Sequence, residues 1–155
     1  MALRNIVTEG DPILRKTCRE VTEVNERMRI LIDDMIETMR DANGVGLAAP
    51  QIGMMRRMFV AEPEPGEVYC FVNPQITEKT GSQESEEGCL SVPGQWGYVT
   101  RPAKVKVTAQ NRYGKEIKVE GTEMLARALC HEIDHLNGVI FTDIADEMTE
   151  IEEKQ

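Results

Sequence analysis

No apolar run in the sequence approaches the roughly 20 residues that cross a bilayer as a helix. Nothing after Met1-Ala2-Leu3-Arg4-Asn5 resembles the apolar centre of a secretory signal, so a cytoplasmic location without membrane contact is expected. Basic charge is short: 18 Lys and Arg face 27 Asp and Glu, a net charge of −9. That balance argues against direct nucleic-acid binding through a basic face. Internal repeats and low-complexity linkers are also missing. The 155 residues therefore read as one domain, 1–155, long enough to bury a core. The acidic tail, 143–155, reads as helical or frayed. None of the four cysteines, Cys18, Cys70, Cys89 and Cys130, forms a C-x-x-C pair. A cytosolic chain gives no reason to expect a disulfide framework, and Cys18 and Cys70 read as small buried hydrophobes.

Histidine is scarcer still. The chain has two, and both stand in Cys130-His131-Glu132-Ile133-Asp134-His135, an H-E-x-x-H pattern. Four positions apart on a helix is one face, one turn apart, so the two imidazoles can share one divalent ion. Glu132 lies beside them as a candidate general base. The flanking residues support a helix. Thr122 is a plausible N-cap, and Glu123 suits the positive N-terminal end. Met124, Ala128, His131 and His135 form one stripe; Leu125, Leu129, Ile133 and Leu136 form an adjoining apolar one. Asn137-Gly138 is a helix stop. Cys130 points roughly 100° away from His131 and is a poor ligand.

Earlier in the chain, apolar residues recur from Val24 through Met28, Leu31, Ile32, Met35, Ile36, Met39 and Ala42. This predicts a long amphipathic helix with Arg29, Asp33, Asp34, Glu37 and Arg40 on its wet face. Its methionines read as core filler. Gly44 to Gly53 carries three glycines and no charge. Gly44 and Gly46 permit either close backbone approach or positive φ. The segment reads as a tight buried turn, or as a pocket wall presenting the amide of Gln51 to a carbonyl. Strands are expected at Met58-Phe59-Val60 and at Tyr69-Cys70-Phe71-Val72, the second closed by Pro74. Val105–Ala109 and Glu116–Glu120 read as a solvated β-hairpin with exposed lysines. Val139-Ile140-Phe141 reads as a short strand or a packing plug. Cys89, next to Gly88 on a strand edge, is free to act as a metal ligand or a nucleophile.

A catalytic zinc-type site takes three protein ligands and a water. The extended H-E-x-x-H-x-x-G-x-x-H pattern fails, because Phe141 occupies the third histidine position. Glu150, Glu152 and Glu153 are alternatives, in a tail with little to hold them. Cys89 is the better third ligand, and a Cys-His-His set still leaves a metal able to activate water.

Gly44-Val45-Gly46-Leu47-Ala48-Ala49-Pro50-Gln51, Glu87-Gly88-Cys89-Leu90-Ser91 and His131-Glu132-Ile133-Asp134-His135 follow, in order, the patterns G-x-G-x-A-A-x-Q, E-G-C-x-S and H-E-x-D-H. In these motifs the chain resembles the peptide deformylase family, over most of its length from Gly10 to Asp143. The resemblance implies an α+β fold: antiparallel β-sheets packed around a central H-E-x-x-H helix, with an N-terminal amphipathic helix. It implies hydrolysis of the N-formyl group from the formyl-methionine of new polypeptides, releasing formate. By position, Cys89, His131 and His135 become the metal ligands and Glu132 the general acid and base. Gln51 and the Leu90 N–H become the holders of the formyl oxygen. The family's ion is typically Fe(II); Zn, Ni and Co also occupy the site. Met124 and Ala128, with Val45 opposite, are the expected linings of a methionine slot. Gly46, Glu87 and Gly88 are the expected main-chain partners of an extended peptide. Arg127, beside this stripe, either faces solvent or alters the pocket rim. Association with the ribosome fits the substrate, though not through a basic tail. Two alternatives share these motifs: a metallopeptidase or other amidohydrolase, and a non-catalytic deformylase-like binding module. The second is expected to lose Cys89, Gln51 or Glu132, and all three are present.

Overall fold

The structure, a computed structural model, describes residues 2–150. Helix α1 spans Glu26–Asp41 and helix α2 spans Glu123–Leu136. The strands are β1 (Gly46–Ala48), β2 (Met58–Ala61), β3 (Tyr69–Thr80), β4 (Gln83–Cys89), β5 (Val92–Arg101), β6 (Lys104–Gln110), β7 (Glu116–Thr122) and β8 (Glu147–Glu150). One sheet has the order β1-β2-β3-β6-β7 and the other β4-β5-β8, and every pairing between these strands is antiparallel. The architecture is α+β. Among the described residues, no helix is long and apolar enough to cross a membrane.

Helix α1 starts where Asn25 caps it, its side chain accepting the Met28 N–H at 3.1 Å. Leu31, Ile32, Met35 and Met39 face inward and pack with Leu47, Met58 and Val60. The wet face is not wholly wet. Asp34 is buried, and its carboxylate accepts the Ala2 N–H at 2.7 Å and the Arg4 guanidinium at 3.1 and 2.8 Å. The N-terminal arm covers that part of the helix, which the helix's own periodicity cannot report.

Helix α2 lies against the larger sheet. Its Ala126, Leu129, Cys130, Ile133 and Leu136 pack with Phe59, Phe71, Val105, Val107 and Ala109. The expected apolar stripe thus packs into this core, with Leu125 at its margin. Burial in this core pushes the Cys130 thiol up to about 11, which suits a packing residue and not a ligand. Along β6 the alternation holds: Val105 and Val107 point inward, while Lys106 reaches Glu78 at 3.1 Å in the sheet's exposed face. Thr122 stands at the N-cap position, but its side chain makes no capping bond. Strand β7 runs straight into the helix there, and Glu123 turns the corner at φ 52.

Two expectations need correction. Strand β3 does not close at Pro74; it continues to Thr80. Asn73 takes φ 52, the register slips between Val72 and Gln75, and Pro74 sits in the resulting bulge, where no ladder N–H is required. The tail is neither helical nor frayed over Glu147–Glu150: there β8 pairs with β5, Gln95 opposite Glu150 and Tyr98 opposite Glu147. Residues 151–155, which include Glu152 and Glu153, lie outside the described residues. Ile140 and Phe141 form the packing plug, both 1% exposed.

Candidate active site

Strand β4 runs beside helix α2, and the two meet rung by rung. Gln83 Nε2 donates to the Glu123 carbonyl at 3.0 Å. Arg127 donates to Ser85 Oγ. Glu87 Oε1 meets His131 Nδ1 at 2.9 Å, and Cys89 Sγ lies 3.3 Å from His135 Nε2. Two strand residues advance about 6.6 Å and four helix residues about 6.0 Å. That near match keeps one face of the strand in step with one face of the helix.

The last rungs gather the metal-ligating types. One ligand atom each from Cys89, His131 and His135 lies within 4.8 Å of the others. His131 and His135 are buried, and Cys89 is half-buried at the end of β4. A thiolate and two imidazoles suit a tetrahedral divalent ion that keeps one position open. The donor set fits such an ion.

Behind the ligands stands a carboxylate. Burial works against charge on Glu87, but the His131 ring and the Arg101 guanidinium outweigh it and hold the carboxyl down at about 2. Glu87 therefore fixes the His131 ring with its proton on Nδ1, leaving Nε2 toward Cys89. Burial likewise opposes charge on His131. Its contacts with Cys89, Glu87 and Glu132 overcome this and raise its pKa well above the usual imidazole value while no cation competes. Arg101, 5% exposed, completes the support: two 2.9 Å bonds to Glu87 and one to Asp134. Arg101 escaped the motif reading. One signal was available: it shares the inward face of β5 with Val99, an odd place for a lone cation.

Glu132 is 4% exposed and lines a cleft of about 430 Å³. Burial pushes its carboxyl up to about 7, and its Oε1 has no hydrogen-bond partner. A Cβ at Gly46 would collide with Glu132 Oε2, so glycine there is what lets the main chain pass. Neither Gly44 nor Gly46 needs positive φ; close approach is the reason for both. Gln51 is held in place: its Oε1 accepts the Ala48 N–H at 2.9 Å, and its Nε2 donates to Ser91 Oγ at 3.0 Å and faces Cys89 Sγ at 3.4 Å. Ser91, fully buried, is the serine of the E-G-C-x-S pattern, and its hold on Gln51 is a role that the sequence reading did not assign. The Leu90 N–H has no protein acceptor among the described residues.

The remaining candidates meet at the same cleft. Val45 and Gly46 lie on one wall, Glu87 and Gly88 on another, and Met124 and Ala128 on the helix. Arg127 joins them as a wall residue. Gly88 is required by contact: a Cβ there would stand 2.7 Å from the Trp96 ring. Val45 and Met124 are exposed, which suits a slot open at its mouth.

The sequence model of a family described as "Polypeptide deformylase" matches residues 3–150. A peptide deformylase of Alkaliphilus metalliredigens is 56% identical over 143 residues, 92% of this chain and 97% of that protein. The crystal structure of a peptide deformylase from Legionella pneumophila superposes with a TM-score of 0.90 at 46% identity, covering 94% of this chain and 87% of the other. That of the Thermotoga maritima peptide deformylase gives a TM-score of 0.92 at 38% identity, covering 95% and 100%.

Proposed function

The chain belongs to the polypeptide deformylase family, and on that premise we propose how its own residues carry the reaction. It is a metal-dependent hydrolase that removes the N-formyl group from nascent polypeptides. We assign Cys89, His131 and His135 as the ligands of one divalent ion. Fe(II) is the first candidate by resemblance, and zinc, nickel and cobalt are chemically compatible with the same donors. Bound there, the ion supplies Lewis acidity toward a water and the formyl oxygen.

The protein's own groups do the rest. Glu132 takes the proton of the attacking water and returns one to the departing amine, leaving formate and a free amino terminus. A carboxyl raised to about 7 by burial is well matched to both duties near neutral pH. Gln51 Nε2 and the Leu90 N–H donate to the formyl oxygen as charge grows on it. Each such donor is typically worth about 2.7–4 kcal/mol in the transition state. The methionine side chain enters between Val45, Met124 and Ala128. Main-chain groups of Gly46, Glu87 and Gly88 align the peptide as an added strand, since β4 is an edge of its sheet. We read the chain as one catalytic domain working in the cytoplasm on chains emerging from the ribosome, without nucleic-acid binding and without a basic tail for docking.

One observation carries this reading: the strand–helix ladder converges Cys89, His131 and His135 while Glu132 and Gln51 open on the same cleft. The test is formate release from a formyl-Met peptide by protein loaded anaerobically with Fe(II). Cys89→Ala is expected to lose both metal and turnover. Metal-loaded protein that releases no formate would defeat the assignment, and cleavage of the unformylated peptide would point to a peptidase, a reading the family match does not favour.

A further inference from the structure

We propose that a second groove, lined by four arginines, binds a small anion carrying two or more phosphoryl groups. It shares no lining residue with the catalytic cleft, and the assignment does not rest on the deformylase reading. The groove is about 820 Å³, within the usual range for small-molecule sites. Arg4, Arg19, Arg27 and Arg56 stand round it in a chain whose net charge is −9. Arg4 is taken up by Asp34. Among the described residues, no carboxylate lies within ion-pair distance of Arg19, Arg27 or Arg56. Glu20 and Glu23 also line the groove, but both are exposed and neither pairs with these arginines.

The three free arginines are placed where a cation is costly. Arg19 and Arg56 are partners in a parallel β-bridge: the Arg19 N–H donates to the Met55 carbonyl at 3.4 Å, and the Arg57 N–H to that of Arg19 at 2.8 Å. Bridge partners project side by side from backbones about 4.8 Å apart, so two like charges stand together. Arg27 is the second residue of α1, at the positive end of the helix dipole. Arg56 is half-buried, and the buried Val21 and Leu31 belong to the same lining, which thins the water that screens these charges. One multivalent anion relieves all three placements. The frame that carries them is set beforehand. Asn73 Oδ1 accepts the Val21 N–H at 2.7 Å, its Nδ2 donates to the Val21 carbonyl at 2.8 Å, and Asn25 caps α1. Guanidinium forks match phosphoryl oxygens in geometry. A phosphoryl group brings up to two charges and three acceptor oxygens, more than a carboxylate offers to converging forks.

The experiment titrates the Fe(II)-loaded protein anaerobically with pyrophosphate, by calorimetry at low ionic strength. Pyrophosphate can also meet a bound metal ion, so Cys89→Ala, expected to lack the ion, is titrated alongside. One saturable site with Kd below about 1 mM is expected in both. Arg19→Met and Arg56→Met are each expected to weaken it about tenfold, and the double variant to abolish it. Tm and formate release from a formyl-Met peptide are expected to stay as in the wild type, which separates loss of the site from loss of the fold. A nucleoside diphosphate is then titrated: tighter binding than pyrophosphate assigns the site to nucleotides, and equal binding to the phosphoryl groups alone. Three results overturn the proposal: no saturable binding by the wild type, binding that vanishes in Cys89→Ala but survives in the double arginine variant, or equally tight binding of a hexaglutamate peptide.

Discussion

Glu132 shows how one side chain's surroundings set its chemistry. It is buried, its pKa is raised to about 7 by that burial, and Gly46 is trimmed to let the main chain pass it. Glu132→Gln keeps the shape and removes the proton carrier. It is expected to retain metal by elemental analysis and to lose kcat by about 10²–10⁴-fold; near-normal formate release from that variant would remove Glu132 from the role. Gln51→Ala is expected to lower kcat by about 10²–10³-fold, with little loss of bound metal, because Gln51 Nε2 only faces the ligand Cys89. At this scale the candidate ligands His131 and His135 and the candidate base Glu132 were legible as candidates, since H-E-x-x-H confines them to one helical turn. The roles of Ser91 and Arg101 were not, because each acts through a partner brought from a distant part of the chain: Gln51 for Ser91, Glu87 and Asp134 for Arg101.

The elements that matter most are β4 and α2, whose matched rises align four successive pairs, from Gln83–Glu123 to Cys89–His135. Arg101 on β5 locks this alignment from behind. Arg101→Met leaves the Glu87 carboxylate without its guanidinium. It is expected to cost about 3–5 kcal/mol of stability, read by denaturant unfolding. It is also expected to weaken metal binding by about 10–100-fold, read by competition with a chelator, because Glu87 then holds His131 less firmly. Unchanged metal affinity would show that Glu87 orients the ring without help. Both helices were readable from their 3.6-residue periodicity, and the β6–β7 hairpin from its alternation. The passage of β3 through Pro74 was not readable, since a bulge is decided by the neighbouring strand's register. The β8 strand was hidden for the same reason: an acidic stretch becomes a strand only because β5 offers it an edge.

For the molecule as a whole, the N-terminal arm ties the parts together. Ala2 and Arg4 bind Asp34 of α1, Val7 N–H donates to the Gln51 carbonyl at 2.7 Å, and Glu9 N–H to that of Ser91 at 2.7 Å. Burial opposes charge on Asp34, but the Arg4 guanidinium and the Ala2 N–H more than offset it and hold its carboxyl below the ordinary range. A lowered folded pKa gives stability that is complete above the unfolded value, near about 3.9, and is lost as pH falls through the lower folded one. The stability gap between the wild type and Asp34→Asn is therefore expected to be constant near neutrality and to close below about pH 4; a gap that widened with acid would contradict the sign. Removing the metal with a chelator is expected to lower Tm, and restoring it to raise Tm again, because an ion that binds only the folded state stabilises it by mass action. By itself, the sequence determined everything carried by local pattern: two amphipathic helices, the hairpin, and three short motifs whose residue types name a metal-assisted hydrolysis. Only the tertiary structure decided what depends on contact between distant segments. It put Asp34 under the N-terminal arm, turned Glu147–Glu150 into a strand and placed Arg101 behind the candidate ligands. Periodicity reports which way a side chain points from its own element, and nothing in it reports what another element will bring to meet it.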